Sequence, residues 1–246
     1  MKTRAYVRKA ADFLWLVIAT CIPSVSAGGE FINLDFEEAT VAPTPPGGYD
    51  REYRPVSHAL PGWRAYYGEN EVSEVSHNRL SLGKVDISLF GPHFFEQFIL
   101  EGDYTVFLGP GSLRVGSGYV LLDTSISQTG LVPGDAASLR FKIGPPRATV
   151  VPNQFQVFMN EQALPMAIVD QQPKYTEFAA DVAPYAGQTV ELEFVAYFIP
   201  RFGNAVWLDS FEFSPEPIPE PGVAGLLALG ALVVLWDRWR RYRRRA

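Results

Sequence analysis

Alternation of apolar and charged residues is the clearest pattern in the chain. In Leu139–Ile143 and again in Val190–Phe194, every second residue is apolar and the residues between them are charged. A period of two is typical of β-strands in a sheet with one buried and one solvated face. Trp207–Phe213 shows the same pattern less regularly. Helical periodicity is weak in the middle of the chain, where His93–Leu100 is the stretch most compatible with a helical turn.

Turn-forming sequences such as Pro133-Gly134-Asp135 separate the strand-like runs. So many short strands divided by tight turns favour an all-β fold, an antiparallel β-sandwich of the jelly-roll type. The Pro- and Gly-rich stretch Thr40–Asp50 is predicted to be a surface loop. Strands are predicted at Glu30–Phe36, Arg64–Tyr67, Arg79–Leu82, Val85–Phe90, Tyr104–Leu108, Gly118–Ser127, Ser138–Ile143, Phe155–Met159, Ala163–Val169, Thr176–Asp181, Thr189–Tyr197 and Ala205–Phe213.

Residues 1–27 have the parts of a secretory signal peptide. Four cations precede an apolar stretch over Phe13–Ile22, and small residues follow at Val25-Ser26-Ala27. This order predicts cleavage after Ala27 and a mature N-terminus at Gly28. An uncleaved N-terminal anchor is the alternative interpretation.

Cys21 is the single cysteine of the chain and lies inside this leader. A lipoprotein acceptor site at Cys21 is an alternative, although Thr20 before it fits that signal poorly. Cleavage after Ala27 leaves a mature protein without disulfides, although export would permit them.

Removing both ends exposes a strongly acidic domain. The whole chain has a formal charge of −6, but residues 1–27 carry four cations against one acid, and residues 215–246 carry six arginines against three acids. Residues 28–214 therefore carry −12. Such a domain would repel phosphates, so we expect no nucleic-acid partner. Its length suits one domain with one core.

Signatures of catalysis are weak in this sequence. The three histidines, His58, His77 and His93, are 19 and 16 residues apart, which is not the spacing of two ligands on one helical face. The glycines around Gly109–Gly118 follow no phosphate-loop spacing and are interpreted as turns. We expect a non-catalytic protein, and a secreted carbohydrate-active hydrolase with an unrecognised carboxylate pair is the alternative.

Acidic residues at the two ends of the domain suggest one metal hypothesis. The first and last strands of a jelly roll commonly lie side by side, which would bring Asp35, Glu37 and Glu38 near Asp209 and Glu212. The predicted ligands are Asp35, Glu37 and Asp209. Oxygen ligands of this kind suit calcium. The alternative is that these carboxylates form the solvated faces of two edge strands.

Aromatic residues make up 13% of the chain. A row of exposed rings would stack on sugars, whereas alternation favours a place in the core for most of them. Tyr66 and Tyr67 differ, because consecutive strand residues face opposite ways and one of the two should be exposed.

The chain closes with a Pro-rich hinge, an apolar run over residues 222–236 and an arginine cluster. Fifteen residues give a helix of roughly 22 Å, against about 30 Å of hydrocarbon in a bilayer. As a transmembrane helix, this short run would cross only if the bilayer thins locally and the flanking tryptophan and arginine side chains snorkel to the headgroups. The arginines would lie on the cytoplasmic side. A transient stop fits this length better than a permanent anchor.

These three parts, beginning at Pro219-Glu220-Pro221, resemble the PEP-CTERM sorting signal of Gram-negative bacteria. The resemblance implies recognition by an exosortase, a membrane protease that cleaves near the Pro-Glu-Pro motif, in organisms that make exopolysaccharide and biofilm. It divides the chain into a signal peptide at 1–27, an ectodomain at 28–214 and a sorting signal at 215–246.

The body resembles an ectodomain of these proteins through six segments, and that ectodomain is similar to a galactose-binding-like jelly roll, a fold of many carbohydrate-binding modules. The expected protein is exported, briefly anchored in the inner membrane and then placed at the cell surface or in the matrix. Polysaccharide binding and a purely structural matrix role both remain open. The matching segments are NLDFEEA (33–39), LPGW (60–63), ISQTGLVP (126–133), SLRF (138–141), AGQTVELEF (186–194) and LDSFEFSP (208–215).

Overall fold

Two β-sheets packed face to face form the fold. The computed structural model of the chain describes residues 29–42, 52–81, 83–92, 94–144, 154–200 and 205–218. The predicted signal peptide, including Ala27, and the predicted motif Pro219-Glu220-Pro221 with its apolar run lie outside these residues. The β-sandwich expected from the alternation is confirmed.

Sixteen strands and one short helix are defined within these ranges, together with 3₁₀ turns at Glu96–Phe98 and Ala183–Tyr185. The helix α1 spans Val56–Ala59. The strands are β1 (Tyr53–Pro55), β2 (Arg64–Tyr67), β3 (Asn70–Val72), β4 (Glu74–His77), β5 (Asp86–Phe90), β6 (Thr105–Gly109), β7 (Gly111–Val115), β8 (Gly118–Leu122), β9 (Thr124–Leu131), β10 (Ser138–Gly144), β11 (Phe155–Met159), β12 (Gln162–Ala163), β13 (Met166–Gln171), β14 (Thr176–Asp181), β15 (Thr189–Ala196) and β16 (Val206–Ser214).

The larger sheet has the order β1-β4-β5-β6-β16-β10-β14-β13, and the smaller has the order β12-β11-β15-β9-β2-β3. Strands β7 and β8 form a separate two-stranded sheet. Neighbouring strands are antiparallel except β4 and β5, which are parallel. From β9 onward the chain passes repeatedly from one sheet to the other, so strands close in sequence face each other across the core.

Aromatic side chains fill the space between the sheets. The Phe211 ring lies 4.3 Å from the ring of Phe194 and 5.7 Å from that of Trp63, measured between centroids. Phe141 and Phe36 complete this group, and Phe36, Phe141 and Phe194 have no exposed surface. Rings of this size bury large apolar areas, so this cluster is the main source of stability.

A second aromatic cluster covers the outer face of the larger sheet. Phe90 and Phe107 alternate with core residues on β5 and β6, and their rings lie 5.3 Å apart. Phe94 stacks on Phe90, and the Phe98 ring lies parallel to that of Trp207. Both strands are therefore buried on both faces, including the polar residues Asp86 and Ser88 of β5.

The predicted first strand, Glu30–Phe36, is wrong. Only Glu30 forms an isolated bridge, to Leu131, and the following residues turn. Asn33 and Phe36 have φ angles of 51° and 63°, in the left-handed region that a strand excludes. The segment still lies beside β16, because the Phe211 amide donates to the Leu34 carbonyl. The strand predicted at Arg79–Leu82 is also wrong, since the described residues 79–81 have no strand.

Candidate functional site

Two of the predicted calcium ligands meet the same loop from different sides. The Glu37 Oε1 atom accepts hydrogen bonds from the amides of Asp103 (2.9 Å) and Tyr104 (3.0 Å). The Asp209 Oδ2 atom accepts from the Glu101 amide (3.1 Å) and from Thr105 Oγ1 (2.7 Å). We call this region, Glu37 and Asp209 with residues 100–105, the carboxylate junction.

A β-bulge places Asp209 in the junction. The pairing of β10 with β16 shifts register between Arg140 and Lys142, and Ser210 has a φ of 52°. The extra residue lets Leu208 and Phe211 both enter the core, while Asp209 faces the loop. Asp209 is 1% exposed, so its carboxylate depends on protein donors.

Burial raises the pKa of Asp209 to about 7 from an ordinary value of 3.8. The hydrogen bond from Thr105 and the backbone donors lower the pKa, and the negative charge of Glu37 raises it further. Ionisation of Asp209 is therefore unfavourable in this buried place beside the Glu37 carboxylate. A nearby cation would stabilise the ionised form.

A cation from the protein reaches the neighbouring carboxylate. The Lys142 ammonium and the Ser210 hydroxyl both donate to Glu101 Oε2, and these bonds lower the pKa of Glu101. The same ammonium lies 5.0 Å from the centroid of the Tyr175 ring. Lys142 therefore links the larger sheet to the loop of the carboxylate junction.

The third predicted ligand does not join the other two. Asp35 Oδ1 accepts from the Glu37 amide at 3.3 Å and so belongs to the local turn. Across the residues that the structure describes, no three His, Cys, Asp or Glu side chains are grouped as a metal site would require. Calcium binding through Asp35, Glu37 and Asp209 remains a prediction, and the contacts seen are structural.

A second arrangement lies on the outer face of the smaller sheet. Core residues such as Ile126 and Phe194 point inward, so their neighbours point outward. In this outward set, Tyr66 is opposite Ser125, Arg64 is opposite Ser127, and Ser127 is opposite Glu193. We call this set the outer platform: Arg64, Tyr66, Ser125, Ser127, Glu191 and Glu193.

An ion pair crosses the middle strand of the outer platform. Arg64 Nη2 on β2 lies 2.5 Å from Glu191 Oε1 on β15, and Ser127 Oγ on β9 donates to the same oxygen at 2.9 Å. Both charged side chains stay more than 40% exposed. The Arg64 guanidinium also lies 5.8 Å from the centroid of the Tyr66 ring. A planar cation, a planar anion and an aromatic ring are thus fixed on one flat surface.

Tyr66 and Tyr67 face opposite ways, as predicted, but the prediction that one of them is exposed is wrong, because both are half-buried. Tyr67 packs against the core cluster, and desolvation raises the pKa of its hydroxyl. Sequence analysis did not single out Arg64 and Glu191. The alternation in β15 assigns Glu191 to the solvated face, but its partner is 127 residues away and belongs to a strand two positions across the sheet.

The chain matches no family model and no curated protein. Among solved structures, it is similar to the K1 cleaved adhesin domain of Lys-gingipain from Porphyromonas gingivalis W83. The sequence identity is 13% and the TM-score 0.40, over 66% of this chain and 96% of that domain.

Among the residues that the structure describes, no helix is both long and apolar enough to cross a bilayer. The predicted span at 222–236 lies outside these residues.

Proposed function

We propose that this chain is an exported, non-catalytic protein of the cell surface or extracellular matrix that binds polysaccharide on its outer platform. The observation that carries the proposal is the Arg64–Glu191 pair, each side chain more than 40% exposed, beside Tyr66 on the outer face of the smaller sheet. Ser125 and Ser127 of the middle strand are buried beside these groups. Sugar hydroxyls both donate and accept, so a paired guanidinium and carboxylate satisfy neighbouring hydroxyls together. The Tyr66 ring offers an apolar surface to the C–H face of a sugar ring.

The shape and charge of the surface favour an extended and neutral chain. The outer platform runs across three adjacent strands, β2, β9 and β15, and its exposed charged groups lie on β2 (Arg64) and β15 (Glu191). An extended polymer that crosses the strands would contact both. The charge of −12 on residues 28–214 disfavours polyanions. A neutral exopolysaccharide fits both conditions.

The assignment to the jelly-roll, galactose-binding-like class is part of this proposal. Repeated crossing between two antiparallel sheets from β9 to β16 supports it. The sequence segments that resemble such ectodomains also contribute to the sites, since LDSFEFSP includes Asp209 and AGQTVELEF includes Glu191.

Sorting through the C-terminal tail is the other part of the proposal. We infer that a signal peptidase cuts after Ala27, that residues 222–236 stop in the inner membrane, and that an exosortase-type protease reads Pro219-Glu220-Pro221. The prolines keep this junction extended and without helical hydrogen bonds, which leaves its backbone open to a protease. The arginines fix the orientation.

Binding is tested with the exported protein and the exopolysaccharide of its own host, by affinity electrophoresis against a panel of neutral glucans and galactans. Tyr66→Ala and Glu191→Gln should each weaken retention about tenfold, as expected when a ring contact or a charged hydrogen bond is lost. Tyr53→Ala is the matched control, because Tyr53 is 49% exposed on the other sheet.

Three results would decide against this function. Retention that is unchanged in both platform variants would remove the outer platform from the proposal. No retention of any polymer would favour a purely structural matrix protein. Release of new reducing ends from the polymer would make the chain a hydrolase.

Sorting is tested separately. Replacing Pro219-Glu220-Pro221 by three alanines should leave export intact and trap an uncut form, larger by roughly 3 kDa, in the membrane fraction of the native host. Serine in place of the six arginines should instead release uncut protein. If the alanine variant is processed like the parent, the motif is not the recognition element.

N-terminal sequencing of the exported protein should begin at Gly28, and Met1 or a lipid-modified Cys21 would contradict the leader assignment.

A further inference from the structure

The hairpin β7–β8 stands apart from both sheets. A two-residue turn at Gly116-Ser117 joins its strands, and Gly116 has the positive φ (60°) expected at the first position of such a turn. Its base is fixed to the body. Ser112 bonds to Gly83 and Val85 through the backbone. The outer part, residues 113–121, is exposed throughout.

This exposed segment is unusually apolar. Half of the ten exposed large hydrophobic side chains in the described ranges lie within it, at Leu113, Val115, Tyr119, Val120 and Leu121. Their exposed fractions run from 39% to 69%. Apolar side chains concentrated on one projecting element mark an interaction surface.

The hairpin also offers backbone hydrogen bonds. Strand β8 pairs with β7 on one side, and on its other side it has no strand partner among the described residues. An apolar strand with an open edge is a template for another strand. A bilayer is a poor occupant for it, because hydrocarbon cannot satisfy the open amides and carbonyls.

The distribution of charge favours the same hairpin of a second copy as the partner strand. Two domains that each carry −12 repel each other over most of their surfaces. Between Asp103 and Asp123 the chain has no acidic residue, and Arg114 is its single charge. The hairpin is thus a place where two copies can meet without opposing carboxylates.

We propose that β8 pairs with β8 of a second copy in an antiparallel, two-fold arrangement centred on Val120, giving a four-stranded sheet across the dimer. In that register Tyr119 lies opposite Leu121 of the second copy, and the two Val120 side chains lie opposite each other. Apolar cross-strand pairs of this kind stabilise a sheet. Each Arg114 lies on the outer strand β7, so the two cations do not face each other.

The position of the hairpin leaves it free when the chain is held by its C-terminal end. Strand β6, which leads into the hairpin, has Leu108 opposite Val206 at the start of β16. The chain leaves the sandwich beyond Ser214, at the other end of β16, roughly 26 Å away along an extended strand. The proposed dimer therefore does not obstruct the tail.

Disulfide trapping in the intact host tests the pairing. All variants carry Cys21→Ser, so the full chain has no other cysteine. Val120→Cys should give a disulfide-linked dimer on non-reducing gels, because directly opposed Cβ atoms lie about 4.5–5.5 Å apart. Ile168→Cys is the matched control, since Ile168 is 55% exposed and also lies on an edge strand, β13. Equal or absent dimer formation in the two variants would overturn the proposal.

Sedimentation of the exported protein gives an independent measurement. The parent should form a concentration-dependent dimer, and Leu121→Lys should weaken it about tenfold or more, because a charge on an edge strand opposes pairing. Ile168→Lys should leave the dimer unchanged. A parent that stays monomeric, or a dimer that survives Leu121→Lys, would refute the assignment. Flotation with neutral phosphatidylcholine vesicles that Leu121→Lys abolishes, in a monomeric parent, would assign the hairpin to a lipid surface instead.

Discussion

At Gly102, the space for a side chain is taken by Glu37. A Cβ at this position would lie 2.2 Å from Glu37 Oε1, and the backbone has a φ of +57°. Gly102→Ala should therefore lower the free energy of unfolding by about 1–3 kcal/mol, from strain together with loss of the Glu37 contacts. Chemical denaturation of the exported protein measures the change.

Substitutions at two other glycines distinguish backbone strain from loss of the Glu37 contacts. Gly83 has a φ of +81° with open space around it, and Gly134 has open space without a positive φ. Gly83→Ala should show the backbone cost alone, and Gly134→Ala should be nearly neutral. If Gly102→Ala costs no more than Gly83→Ala, the Glu37 carboxylate does not hold this loop.

Asp209 should make stability depend on pH. Burial raises its pKa to about 7 in the folded chain from 3.8, so between these values the folded state keeps a proton that the unfolded state has released. The stabilising contribution is full below pH 3.8 and is lost as pH rises through about 7. Between pH 4 and pH 8 the loss should be roughly 2–4 kcal/mol.

Asp209→Asn removes this titration, so its unfolding free energy should fall less over the same pH range. Asp135→Asn, in an exposed turn, controls for the loss of one charge. Asp86, whose pKa burial raises to about 6, contributes in the same direction and leaves a residual slope. Parallel pH profiles for the parent and Asp209→Asn would show that the Asp209 pKa is not raised.

At the scale of elements, the strands show how well the sequence pattern predicts strand bounds. The bounds of β2, β11 and β14 were predicted to the residue. Those of β10 and β15, which contain the strictly alternating runs, were predicted to within one residue. Strands β1, β3, β4 and β7 were missed. The first three have only three or four residues, too few to show a clear period, and β7 lies among glycines that were interpreted as turns.

In the carboxylate junction, the sequence could predict the carboxylates but not the groups that bind them. The sequence predicted that Glu37 and Asp209 lie near each other, because the first and last strands of the domain were expected to be adjacent. Their true partners, the amides of residues 101, 103 and 104, carry no side-chain signal. The bulge at Ser210 is likewise hidden, because a serine in the sequence does not indicate a φ of 52° or a shift in the pairing of β10 with β16.

Strand β16 supplies the most sensitive core position. Phe211 contacts the rings of Phe36, Trp63 and Phe194, so Phe211→Ala should lower the free energy of unfolding by about 3–5 kcal/mol. Phe158→Ala, on the outward side of β11, should cost much less. Denaturant midpoints compare the two, and equal losses would contradict the assignment of Phe211 to the centre of the core.

At the scale of the whole molecule, calcium affinity would appear as added stability. A ligand that binds only the native state at a hundredfold excess over Kd adds about 2.7 kcal/mol. Thermal melts with millimolar calcium and with chelator should then differ by several degrees in the parent, and by less in Asp209→Asn. Superimposable melts would leave the carboxylate junction as a purely structural contact.

The contacts made where the chain leaves the sandwich would limit the distance between the domain and the anchor proposed at residues 222–236. Ser138 Oγ holds the Glu216 carbonyl at 2.6 Å, and Arg140 holds its carboxylate at 3.0 Å. Ile218 then rests near Leu164 and Tyr185. Three residues separate Ile218 from the apolar run that begins at Gly222, a span of roughly 10 Å when extended.

Under the proposed sorting, an anchored copy would therefore have almost no slack. With residues 222–236 in the bilayer, its sandwich would stay close to the headgroups, and neighbouring copies would hold their hairpins at similar heights above the membrane. Cutting the junction would end this restriction and let each molecule diffuse freely.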